Sequence, residues 1–242
     1  MKRKNVLLTY RDLYLFRWIN SHRYVQARHI FAKLGVSDKY YRRLQQLTQA
    51  GYLVHEMIFR DLPGHYRVTK KAVDVAQDIL SAPREVILST YHHDMMIVSL
   101  ALELERRTGG RWVTERILRF QVQQGQQGQD QKYENLRSYD VHLPDGLLLL
   151  AQSNRTVRIA VELEHLNRKT RKRLEKIITS YADGSSAVAR VDRVMYFCCS
   201  PGIQNKIVGV VKNVGAEGLV QVRLLKEILP EERSGEYGGA EA

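Results

Sequence analysis

Two neighbouring stretches decide the fold: "HLPDGLLLL" (residues 142–150) and "VRIAVELEHL" (residues 157–166). Each is an apolar run of strand length, and a turn at Ser153-Asn154 separates them, so they read as a hairpin of two buried strands. Each also carries acid: Asp145 in the first, Glu162 and Glu164 in the second. A period of two puts Glu162 and Glu164 on one face of their strand, with Val161 and Leu163 on the other. If the strands pair, Asp145 comes close to Glu162. Three neighbouring carboxylates repel one another and take up protons unless a cation joins them, and a divalent metal is the economical cation. The motif alone leaves a plainer alternative open, because Pro-Asp-Gly is a common turn tripeptide and Glu-x-Glu at a strand end is often a solvated edge.

Working outward, a helix fits 167–182, a strand "RVMYFCCS" (193–200), a helix "GIQNKIVGVVKNVG" (202–215) and a last strand "VQVRLL" (220–225). Upstream, a long amphipathic helix runs through "HHDMMIVSLALELERR" (92–107) and stops at Gly109-Gly110. A strand then fits "RWVTERILRF" (111–120), and the first hairpin strand spans 138–151. Between them lies "QVQQGQQGQDQ" (121–131), in which seven of eleven residues are Gln; with no apolar period it reads as a flexible loop. The order is α-β-β-β-α-β, then α-β. A hairpin leads through a helix into a fourth strand, so the sheet is mixed, with helices on its faces. The acidic, Gly-rich end (229–242) reads as a disordered tail.

The first third has its own pattern. Thr9 with Asp12 three residues on marks a helix start, and Leu13, Phe16 and Ile19 share a face. A second helix fits "ARHIFAKLG" (27–35), stopped by Gly35. Ser37 caps a third, "DKYYRRLQQLTQA" (38–50), stopped by Gly51. Tyr40, Leu44 and Leu47 form its inner face, and Lys39, Arg42, Gln45 and Gln46 the outer one, with Arg43 at the margin. "YLVHEMIFRDLPGHYRV" (52–68) reads as two strands about the turn Asp61-Leu62-Pro63-Gly64, and Thr69 caps a fourth helix, "KKAVDVAQDIL". This is the order of a winged helix-turn-helix, and the stretch "RRLQQLTQAGYLVHEMI…HYRVTKKAVDVA" resembles winged-helix proteins. The expected domains are 1–82 (winged helix), 88–228 (the mixed sheet) and the tail, with Pro83 marking the linker.

Charge points to a polyanion. The chain of 242 residues carries a net +12, with 16 Lys+Arg against 7 Asp+Glu in residues 1–90 and 22 against 19 in the rest. An excess in the winged-helix part favours nucleic acid. In that fold the third helix enters the major groove and the hairpin touches the backbone, so the resemblance marks Lys39, Arg42, Arg43 and Gln46 for base edges or phosphates and Arg60 and Arg67 for phosphates. A winged-helix dimerisation module is the alternative, and a homodimer stays open. No apolar run reaches the ~18 residues of a membrane span, and Arg11, Asp12 and Arg17 break up the basic N-terminus as a signal peptide. Two adjacent cysteines, Cys198 and Cys199, suggest a reduced, cytoplasmic protein and give no zinc spacing. No Gly-rich phosphate loop is present.

The order of the second part is similar to the restriction-endonuclease-like (PD-(D/E)xK) fold, so the fold class is α+β, a winged helix-turn-helix followed by that mixed α/β domain. The fold's motif is Pro-Asp on one strand and Asp/Glu-x-Lys on the next. Pro144-Asp145 supplies the first element and Glu162 the acid of the second, but Glu164 stands where the family has Lys. Either Glu164 is a further ligand or the site is altered; a Lys from the following helix, Lys172 or Lys176, is the substitute. Glu103 or Glu105 could add a further carboxylate, but the favoured reading of both is a solvated helix face, and Tyr181 reads as a packing residue facing the sheet.

Taken together, "HHDMMIVSLALELE", "PDGLLLL" and "VELEHLNRKTRKRLEKIITSY" behind a winged helix resemble the replication-relaxation family, including MOBC-type relaxases of mobilisable plasmids, over roughly residues 8–200. The resemblance implies nicking of double-stranded plasmid DNA at an origin of transfer or replication, with mobilisation or replication proteins as partners. It implies Mg²⁺ or Mn²⁺ held by Asp145, Glu162 and Glu164, with Lys176 as auxiliary cation and His93 beside the site. Relaxases that use a His-hydrophobic-His metal motif and an N-terminal Tyr are not matched, since no His-x-His pair occurs. A non-catalytic DNA-binding replication or transcription regulator on an inactive nuclease fold is the alternative function.

Overall fold

The computed structural model describes residues 6–127, 142–186, 188 and 191–229. The chain divides into two compact units, Met1–Leu102 and Glu103–Ala242. The division falls within the helix Tyr91–Thr108.

The first unit opens with α1 (Tyr10–Ser21). Thr9 caps it: its side chain accepts from the Asp12 amide, and the Asp12 carboxylate accepts from the Thr9 amide at 2.7 Å. Leu15, Phe16, Trp18 and Ile19 are buried. A short strand β1 (Val25–Gln26) leads to α2 (Ala27–Leu34), which ends at Gly35 with φ +62°. A single 3₁₀ turn, Asp38–Tyr40, precedes α3 (Tyr41–Gln49), which buries Leu44 and Leu47. The hairpin is β2 (Leu53–Glu56) and β3 (His65–Val68), and β1 adds to it in the order β1-β3-β2, all antiparallel. Thr69 caps α4 (Lys70–Ala76) by accepting from the Ala72 amide. The winged-helix order is thus present, with a two-residue third strand too short to leave a sequence pattern. After it comes α5 (Tyr91–Thr108), which buries Met95, Val98, Leu100 and Ala101.

In the second unit β4 (Arg111–Thr114) is only four residues long. The remainder of "RWVTERILRF" is the start of α6 (Glu115–Gln127), so the strand expected over 111–120 and the loop expected over 121–131 are corrected as far as Gln127. Gln is a good helix former, and Leu118 and Val122 give the helix an apolar side. Residues 128–131 of the Gln-rich stretch lie outside the described residues, as do 138–141 of the expected strand and 230–242 of the expected tail; Leu229 is described and buried.

Then follow β5 (Gly146–Gln152), β6 (Arg155–Glu164), α7 (Arg171–Ala182), β7 (Arg193–Cys198), α8 (Pro201–Val214) and β8 (Val220–Leu224). The sheet order is β4-β5-β6-β7-β8. The β4/β5 and β5/β6 pairs are antiparallel, and β6/β7 and β7/β8 are parallel. Parallel neighbours need crossovers, and α7 and α8 supply them. Ser200 caps α8 ahead of Pro201, and Gly215 with φ +69° ends it. The core gathers Leu147 and Ala160 of the hairpin, Leu174 and Ile178 of α7, Val194 of β7 and Ile207 of α8. This mixed sheet, an antiparallel hairpin followed by a helical crossover to a parallel strand, is the restriction-endonuclease-like arrangement. It makes the protein α+β and places the far end of β6 at the carboxyl ends of the parallel strands.

Candidate acid–lysine site and nucleic-acid interface

Register brings the acids together. Gly146 pairs with Val161, so Asp145, one residue earlier, lies opposite the Glu162 end of β6. The Asp145 carboxylate accepts the Leu163 amide at 2.8 Å. Glu162 is 1% exposed. Its Oε1 accepts from the Tyr181 hydroxyl at 2.6 Å and is paired with His142 Nε2 at 2.6 Å. Glu164, 6% exposed, is in ionic contact with the Lys169 ammonium, which also lies 3.8 Å from Glu162 Oε2.

The electrostatics follow. Burial pushes the Glu164 carboxyl above its ordinary range, Lys169 pulls the other way, and Glu162 and Asp145 push it further up. Burial works against the charge on Lys169, but Glu162, Glu164 and Asp145 outweigh it and hold the ammonium more firmly protonated than usual. Burial and the Glu162 charge raise the Tyr181 phenol, so it stays a donor. Tyr196, paired across the sheet with Glu162, is buried; its hydroxyl has no hydrogen-bond partner.

The sequence expectations divide here. Asp145, Glu162 and Glu164 are brought together. Lys172 and Lys176 are both exposed on α7, and neither is hydrogen-bonded or ion-paired to the acids; the lysine among the acids is Lys169, from the loop between β6 and α7. His93 belongs to the first unit, 3.7 Å from Asp94. Glu103 is not on a solvated face: it is 7% exposed and accepts from Arg106 and Arg107, which overcome its burial and hold it down to about 2. Glu105 accepts the Trp112 amide at 3.0 Å. Sequence reasoning missed Lys169 and His142. His142 sits three residues before Asp145, but nothing in a helix or strand period signals a loop side chain.

Asp145, Glu162 and Glu164 are hard oxygen donors of the kind Mg²⁺ or Mn²⁺ takes. As placed, however, Glu162 is held by His142 and Tyr181, and Glu164 by Lys169. Among the described residues no three His, Cys, Asp or Glu side chains form a group able to hold a metal ion. The amine of Lys169 supplies one positive charge to this group, in contact with Glu164 and 3.8 Å from Glu162 Oε2.

In the first unit, Lys39 in the 3₁₀ turn and Arg42 at the start of α3 are exposed, and Arg60 is exposed at the hairpin turn. Lys39, Arg42, Arg43 and Gln46 line an open cavity of about 450 Å³. Two of the six expected DNA contacts are committed elsewhere. Arg43 donates to both Asp12 oxygens, at 2.5 and 3.0 Å, and to Gln46 at 3.3 Å. Arg67 donates to Glu56 at 3.0 and 3.1 Å across the hairpin. Their partners lie 31 and 11 residues away in the chain, so each is a clamp within its own unit.

No protein-family model matches the chain, and no curated protein matches it. Among solved structures, the restriction endonuclease FokI overlaps 94% of this chain and 43% of its own, at 10% identity and a TM-score of 0.33. FokI bound to DNA overlaps 93% and 44%, at 10% identity and TM-score 0.30. Protein VC1899 from Vibrio cholerae overlaps 97% and 59%, at 12% identity and TM-score 0.24. The chain thus spans less than half the length of FokI. The fold assignment rests on the strand order above and not on these overlaps. No described helix is long and apolar enough to cross a membrane.

Proposed function

We propose that this protein is a DNA endonuclease of the nicking kind, binding duplex DNA through its winged-helix unit and acting on one strand through the site of its second unit. The observation that carries the reading is the convergence of Asp145, Glu162, Glu164 and Lys169 at one end of the mixed sheet. A half-buried ammonium among carboxylates is a preformed partner for a phosphate. Transferred from Glu164 to a non-bridging phosphate oxygen, its charge would oppose the negative charge that develops in the transition state, an effect worth ~10²–10³ in rate. His142 and Tyr181 hold Glu162 in one orientation. The resemblance to replication-relaxation proteins makes a plasmid origin of transfer or replication the expected substrate.

The test is to incubate the full chain with supercoiled origin plasmid in Mg²⁺, in Mn²⁺ and in chelator, and to follow the open-circular form. Nicking by the wild type that is lost in both Asp145→Ala and Lys169→Ala supports the proposal. Equal lack of nicking in all three proteins overturns it.

A second reading, a non-catalytic DNA-binding regulator, is favoured by the ionic closure of Glu164 with Lys169. It predicts metal-independent, sequence-specific binding that Asp145→Ala leaves intact and that loss of Lys39 and Arg42 together abolishes.

A further inference from the structure

The loop that carries Lys169 into the acid site also carries a cluster of uncommitted cations. Arg168 precedes it, and Arg171, Lys172 and Arg173 are the first three residues of α7, with Lys176 one turn on; all five are exposed. Among the described residues none of the five makes an ion pair or side-chain hydrogen bond. Other arginines of this unit are paired, among them Arg106 and Arg107 with Glu103, Arg119 with Glu115 and Arg155 with Asp192. The loop itself is tied down, since Lys206 of α8 donates to the Asn167 side chain at 2.7 Å and to the Lys169 carbonyl at 2.5 Å.

The position of the cluster is electrostatically unfavourable to the fold. The N-terminus of a helix carries partial positive charge, and cations in its first turn are disfavoured. Three lie there, beside a further ammonium from Lys206, with Glu175 the one acid in residues 166–176. A solvated face gains nothing from such crowding. A polyanion does, because free backbone amides and unpaired side chains act together on it.

We propose that the second unit has its own nucleic-acid surface, in which Arg168, Arg171, Lys172, Arg173 and Lys176 grip the phosphate backbone beside the acid–lysine site. The occupant is duplex DNA, argued from charge complementarity and from the contact of the same loop with the acids; this rests on the reading that the protein handles DNA, but not on strand cleavage. The surface supplies affinity without sequence preference, because phosphates carry no sequence information.

The experiment measures binding of the full chain to a random-sequence duplex of about thirty base pairs across a salt series. The variants are Arg171→Ala/Lys172→Ala/Arg173→Ala/Lys176→Ala and, separately, Lys39→Ala/Arg42→Ala. At about 0.9 per phosphate contact, the fourfold variant is expected to lower the slope of log affinity against log salt by between about 2 and 4 and to weaken binding at least ~10-fold. Its melting temperature should equal or exceed that of the wild type. An unchanged slope in that variant, with binding lost in Lys39→Ala/Arg42→Ala, overturns the inference and leaves the DNA reading standing. No binding by the wild type overturns both. A lowered melting temperature overturns the view that these side chains are uncommitted, and a stronger effect on vesicles about one-third phosphatidylserine than on DNA makes the partner a membrane.

Discussion

Replacing Lys169 by Met removes the ammonium in contact with the buried acids and leaves the stem of the side chain nearly intact. The side chains of Lys169, Glu164 and Glu162 are 21%, 8% and 1% exposed, so the pair is screened little by water. Removing one partner of such a buried pair strands the other, at a cost of ~3–5 kcal/mol; the residual exposure of Lys169 argues for about 3. For a unit of this size that lowers the melting temperature by roughly 10 °C. The loss has a pH signature. The folded pKa of Glu164 is already raised, so its stabilising contribution is present below the ordinary value of 4.5 and is lost as pH rises through the folded value. Without Lys169 that folded value rises further. The difference between variant and wild type should therefore be large at about pH 8 and shrink toward about pH 5. Calorimetric melts of both proteins across that range check it. Adding Glu164→Gln to Lys169→Met should recover a substantial part of the loss at about pH 8 through the coupling of the two residues. A Lys169→Met protein that melts with the wild type at about pH 8, or a double variant that recovers nothing, refutes the acid–lysine contact.

Tyr181→Phe removes one donor to the ionic Glu162 and should cost about 2 kcal/mol in a thermal melt without changing the fold by circular dichroism. Gly146→Ala places a Cβ inside the Trp112 ring, so overpacking next to Asp145 should destabilise the second unit by ~1–3 kcal/mol, read by chemical denaturation. Arg43→Ala strands Asp12, which is 1% exposed, and should destabilise the first unit by about 3 kcal/mol, whereas exposed Arg42→Ala should leave its melt unchanged. Burial raises Asp12, but Arg43 and Thr9 outweigh it and lower its pKa below 3.8. Its contribution is therefore present above pH 3.8 and fades as pH falls through the folded value, and Arg43→Ala should abolish that part of the acid sensitivity.

What the sequence reveals depends on how local the cause is. Thr9 with Asp12, Thr69 and the glycine at 35 each act within a turn of chain, and the structure follows them. The hairpin holding Asp145, Glu162 and Glu164 is legible because period two and one short turn set its register. Strand β4 and helix α6 are run together in the sequence because the apolar residues Trp112, Val113, Ile117 and Leu118 straddle the junction, and the cap at Thr114 is weak, with its hydroxyl 3.4 Å from the Ile117 amide. Lys169 escapes a helix-based search because its reach is set by the loop before α7, not by spacing along the helix. Arg43 and Arg67 read as free cations because their carboxylate partners are matched by folding alone.

The packing of the Trp112 ring over Gly146 has a practical consequence. The chain has two tryptophans, and each unit buries one: Trp18 in α1 and Trp112 in β4. Trp18→Phe leaves a single indole whose emission reports on the strand beside Asp145. Trp112→Phe leaves one that reports on the winged helix. Intrinsic fluorescence thus offers a separate optical channel for each half of the molecule, with no label attached.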